Sequence, residues 1–385
     1  MSAVHRHILI MSSWFPNRLD PHVGNFIQRY AALLARNYEV SVIHTIGDRS
    51  CKRIEVDEQM IDGVRTVVAY HPVHKTNRLW HWWSQRQALR AAMKRVEDVD
   101  LLFAHVLLPR GLQFIKAKHY YNCPLLVLEH ASYYRPEMRK KISQVQRTIM
   151  KRTSLYIKQL LAVSDVLRKD MKPLFPTTQI ELLPNFVQLD LFPLNPVTKE
   201  KRRNFVCIST LDPLTKNPEM LFKGFQYAVQ NELKSSETCD LSLTIISDQN
   251  TDKWQTWVRD QDLEAYIRFE GPYDWKEIGA RMQDFDALIL TSDYETFNIG
   301  LAEAWLTGMP VIATSVGIAH ELPAFLGRQV SKKNDKELGQ IILEFAQGNC
   351  IFDPEQIRQH ALQYGDEHVL QQLISLFERY FDYHD

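Results

Sequence analysis

The chain has 385 residues, 45% of them hydrophobic and 24% charged, and its 46 basic residues balance its 46 acidic ones. That length exceeds one ordinary hydrophobic core and predicts two domains, and the composition is that of a soluble globular protein. No apolar run reaches the roughly 18 residues of a membrane span, Ile8–Met11 is too short for a signal-peptide core, and five scattered cysteines without metal-like spacing read as reduced cytosolic thiols.

Short β-rich runs alternate with helical stretches from the start. Strands are predicted at His7–Met11, Tyr38–His44, Arg65–Tyr70, Leu101–His105, Leu125–Glu129, Gln159–Val163 and Gln179–Leu183. Helices are predicted at Gly24–Arg36, Ser84–Val96, Gly111–Ala117, Glu137–Arg152 and Ser164–Lys172. Such alternation gives βαβ units and a parallel sheet covered by helices on both faces. A proline-rich stretch, Pro184–Pro196, resists regular structure, and the basic run Lys199–Arg203 follows it. This marks an interdomain linker. The alternation then resumes, with strands near Asn204–Ser209, Ser242–Ser247, Ile267–Glu270, Ala287–Leu290, Pro310–Ala313 and Gln329–Ser331. The matching helices fall near Pro218–Glu232, Trp254–Asp262, Trp275–Gln283, Ile299–Thr307 and Asp335–Gln347, and Pro354–Tyr364 and Gly365–Tyr383 form a helical tail. The expected fold is therefore α/β, with two Rossmann-like doubly wound domains facing a central cleft. The expected bounds are 1–195, 196–364 and a terminal helix, 365–385, returning to the first domain.

Charge is not evenly spread. Residues 1–195 carry 28 Lys+Arg against 16 Asp+Glu, and residues 196–385 carry 18 against 30. From Gly63 to Val96 there is no acid, but seven cations, Arg65, Lys75, Arg78, Arg86, Arg90, Lys94 and Arg95, surround Trp80, Trp82 and Trp83. Such a segment suits an anionic lipid surface, where each cation contributes about 1 kcal/mol and Trp favours the interface. A solvated basic helix with its tryptophans in the core is the competing expectation. Nucleic acid is not expected as a partner, because no recognition motif accompanies the patch.

The densest chemistry lies between Leu290 and Glu321, read as strand, polar loop, helix, turn, strand and loop. A helix starting near Phe297, Asn298 and Ile299 offers unpaired N–H groups and a partial positive charge to a phosphate. Gly300 leaves room for close approach. Glu303, one turn on, can accept two hydrogen bonds from a ribose diol. Glu295, ahead of the helix, can reach a sugar hydroxyl pair on the other side.

This stretch resembles the E-x7-E segment of the retaining family 4 glycosyltransferases, which have the GT-B fold. Pro21-His-Val-Gly24 is similar to that family's N-terminal glycine loop, His105 with Pro109-Arg-Gly111 to its His…Pro-Ala-Gly segment, and Leu128-Glu129-His130 to the segment ending in its active-site histidine. Ala162-Val163-Ser164 and Leu183-Pro184-Asn185 match two more landmarks, and Leu211 with Lys216-Asn217 resembles the segment carrying its diphosphate-binding lysine. One departure stands out: Ser209-Thr210-Leu211 occupies the place of a Gly-Arg-Leu triplet, so one of two diphosphate cations is missing.

The resemblance implies a retaining transfer of a sugar from a nucleoside diphosphate, UDP or GDP, to a hydroxyl of a glycan or lipid-linked glycan in surface polysaccharide or glycolipid synthesis. His130, Glu295 and Lys216 are the expected catalytic residues. Gly24, Lys216, Glu295, Phe297, Asn298, Ile299, Gly300 and Glu303 are the expected donor-binding residues. No cofactor or metal is expected: Asp98-Val-Asp100 and Asp284-Phe-Asp286 mimic an Asp-x-Asp metal motif, but each precedes an apolar strand. The expected location is cytoplasmic, peripheral on the inner face of the membrane. A non-catalytic nucleotide-sugar binder and a nucleotide-sugar epimerase are the rival classes, the latter lacking a clear second base.

Overall fold

A computed structural model describes residues 6–73, 77–197 and 200–381. Lys75 of the basic segment and Lys199 of the linker run lie outside the described residues. The chain forms two compact units. One comprises the chain up to Val163, Leu167–Leu183 and everything from Leu370; the other comprises Ser164–Val166 and Pro184–Val369.

The first unit is built on an eight-stranded sheet: β1 His7–Ser12, β2 Glu39–Asp48, β3 Glu55–Ile61, β4 Val64–Pro72, β5 Leu101–His105, β6 Leu125–Glu129, β7 Ile157–Ala162 and β8 Ile180–Leu182. Its order is β3-β4-β2-β1-β5-β6-β7-β8, and every pairing is parallel except β3 with β4. β1, β5 and β6 are buried along their whole length, which explains why they read as unbroken apolar runs. The helices are α1 Asn25–Leu34, α2 Arg78–Met93, α3 Gly111–Tyr121, α4 Pro136–Arg139, α5 Gln144–Ser154 and α6 Asp165–Met171. Two features differ from the sequence expectation. β3 carries polar side chains on an exposed sheet edge, so it has no apolar alternation to announce it. The predicted helix over 137–152 is broken, because Ser143 starts a new helix with a capping box to Gln146.

The second unit holds a six-stranded parallel sheet: β9 Asn204–Ile208, β10 Ser242–Ile246, β11 Ile267–Glu270, β12 Ala287–Leu290, β13 Val311–Thr314 and β14 Gly327–Val330. The order is β11-β10-β9-β12-β13-β14. Its helices are α7 Pro218–Ser235, α8 Asp252–Asp260, α9 Trp275–Met282, α10 Ile299–Leu306, α11 Asp335–Gln347 and α12 Pro354–Ala361, followed by α13 Asp366–Glu378. The unit begins at Pro184, twelve residues before the expected boundary at 196. The reason is local: Val187 bridges to Gly365, the Asn195 amide donates to the Thr307 carbonyl at 2.9 Å, and Arg358 donates to the Phe192 carbonyl at 2.8 Å. At the other end, Phe377 packs on Tyr38 and Phe103, and Arg379 pairs with Glu181 at 2.9 Å, which sets the chain from Leu370 on in the first unit.

The strand orders locate the sites. In the first sheet the winding reverses between β1 and β5, and in the second between β9 and β12. Ligands of open α/β sheets bind beyond the carboxyl ends of the strands at such reversals. The Asp-x-Asp look-alikes stand at the opposite, amino ends, where they tie strands together. Asp100 accepts from the His7 amide at 2.7 Å, and Asp286 accepts from the Arg203 and Asn204 amides at 2.8 and 2.9 Å.

Candidate functional site

In the second unit, two loops meet at the β9–β12 reversal. The loop after β9 ends at Asn217, whose left-handed backbone and side chain cap α7 with Pro218 in the first turn. The loop after β12 runs from Thr291 to Asn298. They are stitched together: Thr291 donates to the carbonyls of Lys216 and Asn217 at 3.0 and 3.1 Å, and the Asp293 amide donates to the Thr215 carbonyl at 2.8 Å. This brings Lys216 Nζ to 2.6 Å from Glu295 Oε1. The same carboxylate oxygen accepts from Ser292 Oγ at 2.7 Å and Asn298 Nδ2 at 3.1 Å. Glu295 Oε2 takes no hydrogen bond among the described residues, so three donors lock the carboxylate by one oxygen and leave the other for a ligand.

Asn298 has a second task. Its backbone is left-handed (φ 74°), and its Oδ1 accepts from the Leu301 amide at 3.0 Å, capping α10. The Ile299 and Gly300 amides have no acceptor among the described residues. They form an anion-seeking end of the kind expected of a helix start. Phe297 is buried against Tyr364 and fixes the loop from beneath. Glu303 is buried one turn along α10, and its Oε2 lies 4.0 Å from where a Cβ on Gly300 would stand. Lys216, Glu295, Asn298, Gly300 and Glu303 are thus gathered around one helix start. Thr210 is exposed and neutral, so that position supplies no second cation; Lys332 donates to the Asp293 carbonyl of the same loop at 2.7 Å.

Sequence reasoning passed over two supports of this site. Ser292 is a buried hydroxyl with no motif to signal it. Gly317 has φ 52°, and a Cβ there would lie 2.3 Å from the Phe297 carbonyl oxygen and 3.1 Å from Glu295 Cβ. The loop after β13 is therefore pressed against the Glu295 loop, with the Ile318 amide donating to the Phe297 carbonyl at 3.0 Å. The strand at Pro310–Ala313 ahead of it was legible; the contact at Gly317 was not.

The first unit has its own cluster at the carboxyl ends of its strands. Gly24 begins α1 at φ 68°, where a Cβ would stand 2.7 Å from the Trp14 carbonyl, so only glycine fits. His130 follows β6, and its Nε2 lies 3.0 Å from His105 Nδ1 at the end of β5, the two rings stacked 5.3 Å apart. Burial, aided by His130, holds His105 well below the usual imidazole value, so that ring stays neutral. Glu129, fully buried, accepts from the Leu107 amide at 2.8 Å and Tyr134 at 2.7 Å, and burial pushes its carboxyl up to about 7. It holds the loop between His105 and Arg110. The sequence offered it only as a letter in a landmark, although an acid ending an apolar strand is itself a signal.

A pH test follows. With its folded value above its unfolded one, Glu129 binds more protons in the native state between about pH 4.5 and 7, so its contribution to stability falls as pH rises through that window. Glu129→Gln removes this fall. The variant should gain on the parent by about 3 kcal/mol between pH 4.5 and 8, an order-of-magnitude figure. Urea unfolding across that range measures it, and parallel curves would show that Glu129 ionises normally.

On α2 the three tryptophans are not core residues. Trp80, Trp82 and Trp83 are 49%, 54% and 46% exposed, and Leu79 is 82% exposed. At about 100° per residue they share a face with the exposed Arg86, Arg90 and Lys94. The crowding of positive charge is felt by Lys116, whose ammonium is lowered to about 8 by burial and by Arg90 and Arg86. No helix among the described residues is long and apolar enough to cross a membrane.

Residues 23–191 match the family model for glycosyltransferase family 4, and residues 202–347 match that for glycosyl transferases group 1. A search of curated proteins finds no match. Among solved structures, sucrose-phosphate synthase from Thermosynechococcus elongatus is similar at a TM-score of 0.72 and 15% identity, covering 97% of this chain and 99% of that one. The apo form of the lipopolysaccharide outer core galactosyltransferase WaaB gives 0.70, 15%, 97% and 99%. HepE from Anabaena, solved in complex with UDP and glucose, gives 0.70, 15%, 97% and 100%. At these identities the likeness is one of fold.

Proposed function

The chain belongs to the family 4 glycosyltransferases of the GT-B fold, and on that premise we propose that it moves a sugar from a nucleoside diphosphate to an acceptor hydroxyl with retention of configuration. The observation that carries the reading is the cluster at the start of α10, a cation, a half-open carboxylate, two free amides and a second carboxylate one turn on. In a glycosidic transition state the sugar becomes oxocarbenium-like and charge builds on the departing phosphate. Lys216 and the Ile299 and Gly300 amides stabilise that charge. Glu303 holds the ribose diol and the open oxygen of Glu295 holds a donor-sugar hydroxyl; Gly24 is assigned to the diphosphate and His130 to the sugar by the resemblance.

The donor is UDP- or GDP-linked; HepE, solved with UDP-glucose at 15% identity, supports the former. A thermal-shift screen of UDP-, GDP- and ADP-sugars tests this, because a ligand bound only by the folded form raises the melting temperature. One nucleotide should shift the parent, and Glu303→Ala should need at least tenfold more of it. No shift with any nucleotide would sink the reading. Binding without transfer or donor hydrolysis would favour a non-catalytic binder, the rival that the neutral Thr210 supports.

The acceptor is a glycan or lipid-linked glycan of surface polysaccharide or glycolipid synthesis, reached from the cytoplasmic face of the membrane. The exposed tryptophans and cations of α2 support that location, since aromatic side chains and basic groups on one face suit an anionic interface. The protein should sediment with phosphatidylglycerol vesicles at low salt and be released as salt rises. Replacing Trp80, Trp82 and Trp83 by Ala should abolish sedimentation, and equal recovery with phosphatidylcholine vesicles would remove the assignment.

A further inference from the structure

Arg110 opens α3 at the carboxyl end of the first unit's sheet, where the family segment it resembles has alanine. Only 9% of its surface is exposed. Its guanidinium donates to Thr45 Oγ1 and, at 3.4 Å, to Gln113 Oε1, both neutral, and its Nε has no acceptor. No carboxylate pairs with it among the described residues. Burying a cation without a counterion costs several kcal/mol, a penalty that the two neutral acceptors offset only in part. Burial lowers the Arg110 guanidinium and no carboxylate raises it, and His44 on β2 is kept neutral by burial and by the Arg110 charge. The Gly111 and Leu112 amides at the start of α3 also lack acceptors, and α3 is an eleven-residue helix whose positive end points the same way. A planar, always-charged fork beside free helix amides is a receptor for an oxyanion.

The register sets its distance from the chemistry. Ser12 pairs with His105 across β1 and β5, and His44 reaches the Ser12 carbonyl at 3.1 Å from β2. His44, Ser12 and His105 therefore form a row across the strand ends, two strand spacings wide, or about 10 Å. Thr45, which accepts from Arg110, follows His44 in β2, so the guanidinium and the His105–His130 pair lie at the same end of the sheet.

We propose that Arg110, with Thr45 and the first amides of α3, binds an oxyanion carried by the acceptor, a carboxylate or a phosphate, at the same carboxyl end of the sheet as the His105–His130 pair. The acceptor would then be an acidic or phosphorylated glycan rather than a neutral one. That the anion belongs to the acceptor rests on the transferase reading; the anion site itself does not.

The test titrates the full chain with inorganic phosphate and, separately, with glucuronate, at constant ionic strength against sodium chloride, following the melting temperature and binding heat. One of the two should saturate in the parent, and which one does tells phosphate from carboxylate. Arg110→Gln should raise the apparent Kd at least tenfold. Arg110→Lys, which keeps the charge but loses the fork, should fall between. The nucleotide bound by the second unit should shift both variants as it shifts the parent, showing that they fold. If neither anion exceeds the chloride control, or if the Arg110→Gln titration overlays the parent's, the site does not exist. Anion binding that survives while every nucleotide sugar fails would sink the transferase reading and leave the site standing. Anion binding lost alongside intact donor binding does the reverse.

Discussion

Lys216→Ala is expected to lower kcat by about 10²–10³ at saturating donor, the usual cost of removing one preorganised group that stabilises charge in a transition state. The expectation is at the high end because Thr210, in the place of the family's second diphosphate cation, is exposed and uncharged. The structure also offers a competing explanation that must be separated. Without ligand, Lys216 is spent on Glu295 at 2.6 Å, both side chains largely shielded from water. Removing one member of a shielded pair leaves the other charge uncompensated, so activity could fall merely because Glu295 shifts. Two facts argue against that. Glu295 keeps its bonds from Ser292 and Asn298 when the lysine is gone, and the loop is held at Thr291 and Asp293 by bonds that do not involve the lysine ammonium. The double variant Lys216→Ala/Glu295→Gln decides the matter. If the lysine acts on the departing phosphate, removing the Glu295 charge rescues nothing. If the lysine only neutralises Glu295, the double variant is no slower than Glu295→Gln alone, and the assignment of Lys216 to leaving-group stabilisation falls.

Much of this site was legible in the chain because its parts are local. The strand Ala287–Leu290, its polar loop and the helix from Ile299 are consecutive, and the periodicity of each announces it. The Lys216–Glu295 pair spans 79 residues. Resemblance could place Lys216 at the diphosphate and Glu295 at the sugar of one donor, but only the β9–β12 reversal shows them bonded to each other. Glu129 and Arg110 were hidden for a related reason. Their meaning lies in burial, and a single acid or base in a sequence says nothing about the water around it. β3 escaped because an exposed edge strand carries no apolar alternation, and the Pro184 boundary because proline-rich backbone can pack on a domain without forming an element of it.

Gly317 and Gly300 should respond in opposite ways to the same added methyl. At Gly317 a Cβ faces a left-handed backbone and a main-chain oxygen at 2.3 Å. The backbone term alone costs about 1 kcal/mol. The overlap adds about 1–3 kcal/mol, since the obstacle is the Phe297 carbonyl, and Phe297 is pinned in the core against Tyr364. Gly317→Ala should therefore lose about 2–4 kcal/mol in urea unfolding, and whatever protein remains folded should bind donor poorly because the Glu295 loop has moved. Gly63 isolates the backbone term: its φ is 77°, but nothing lies within 4 Å of its Cβ position, so Gly63→Ala should cost only about 1 kcal/mol. At Gly300 the backbone is helical and the nearest atoms are Asn298 Oδ1 at 3.4 Å and Glu303 Oε2 at 4.0 Å. Alanine there strains nothing and favours the helix, so the melting temperature should hold or rise. Yet the methyl stands on the face between the cap and Glu303, where the diphosphate and ribose are assigned, and the donor KM should rise about tenfold, or 1.4 kcal/mol. Stability lost at Gly317 and kept at Gly300, with donor affinity lost at both, is a pattern that a merely structural α10 would not produce. A Gly300→Ala protein that binds donor as the parent does would place the diphosphate somewhere else.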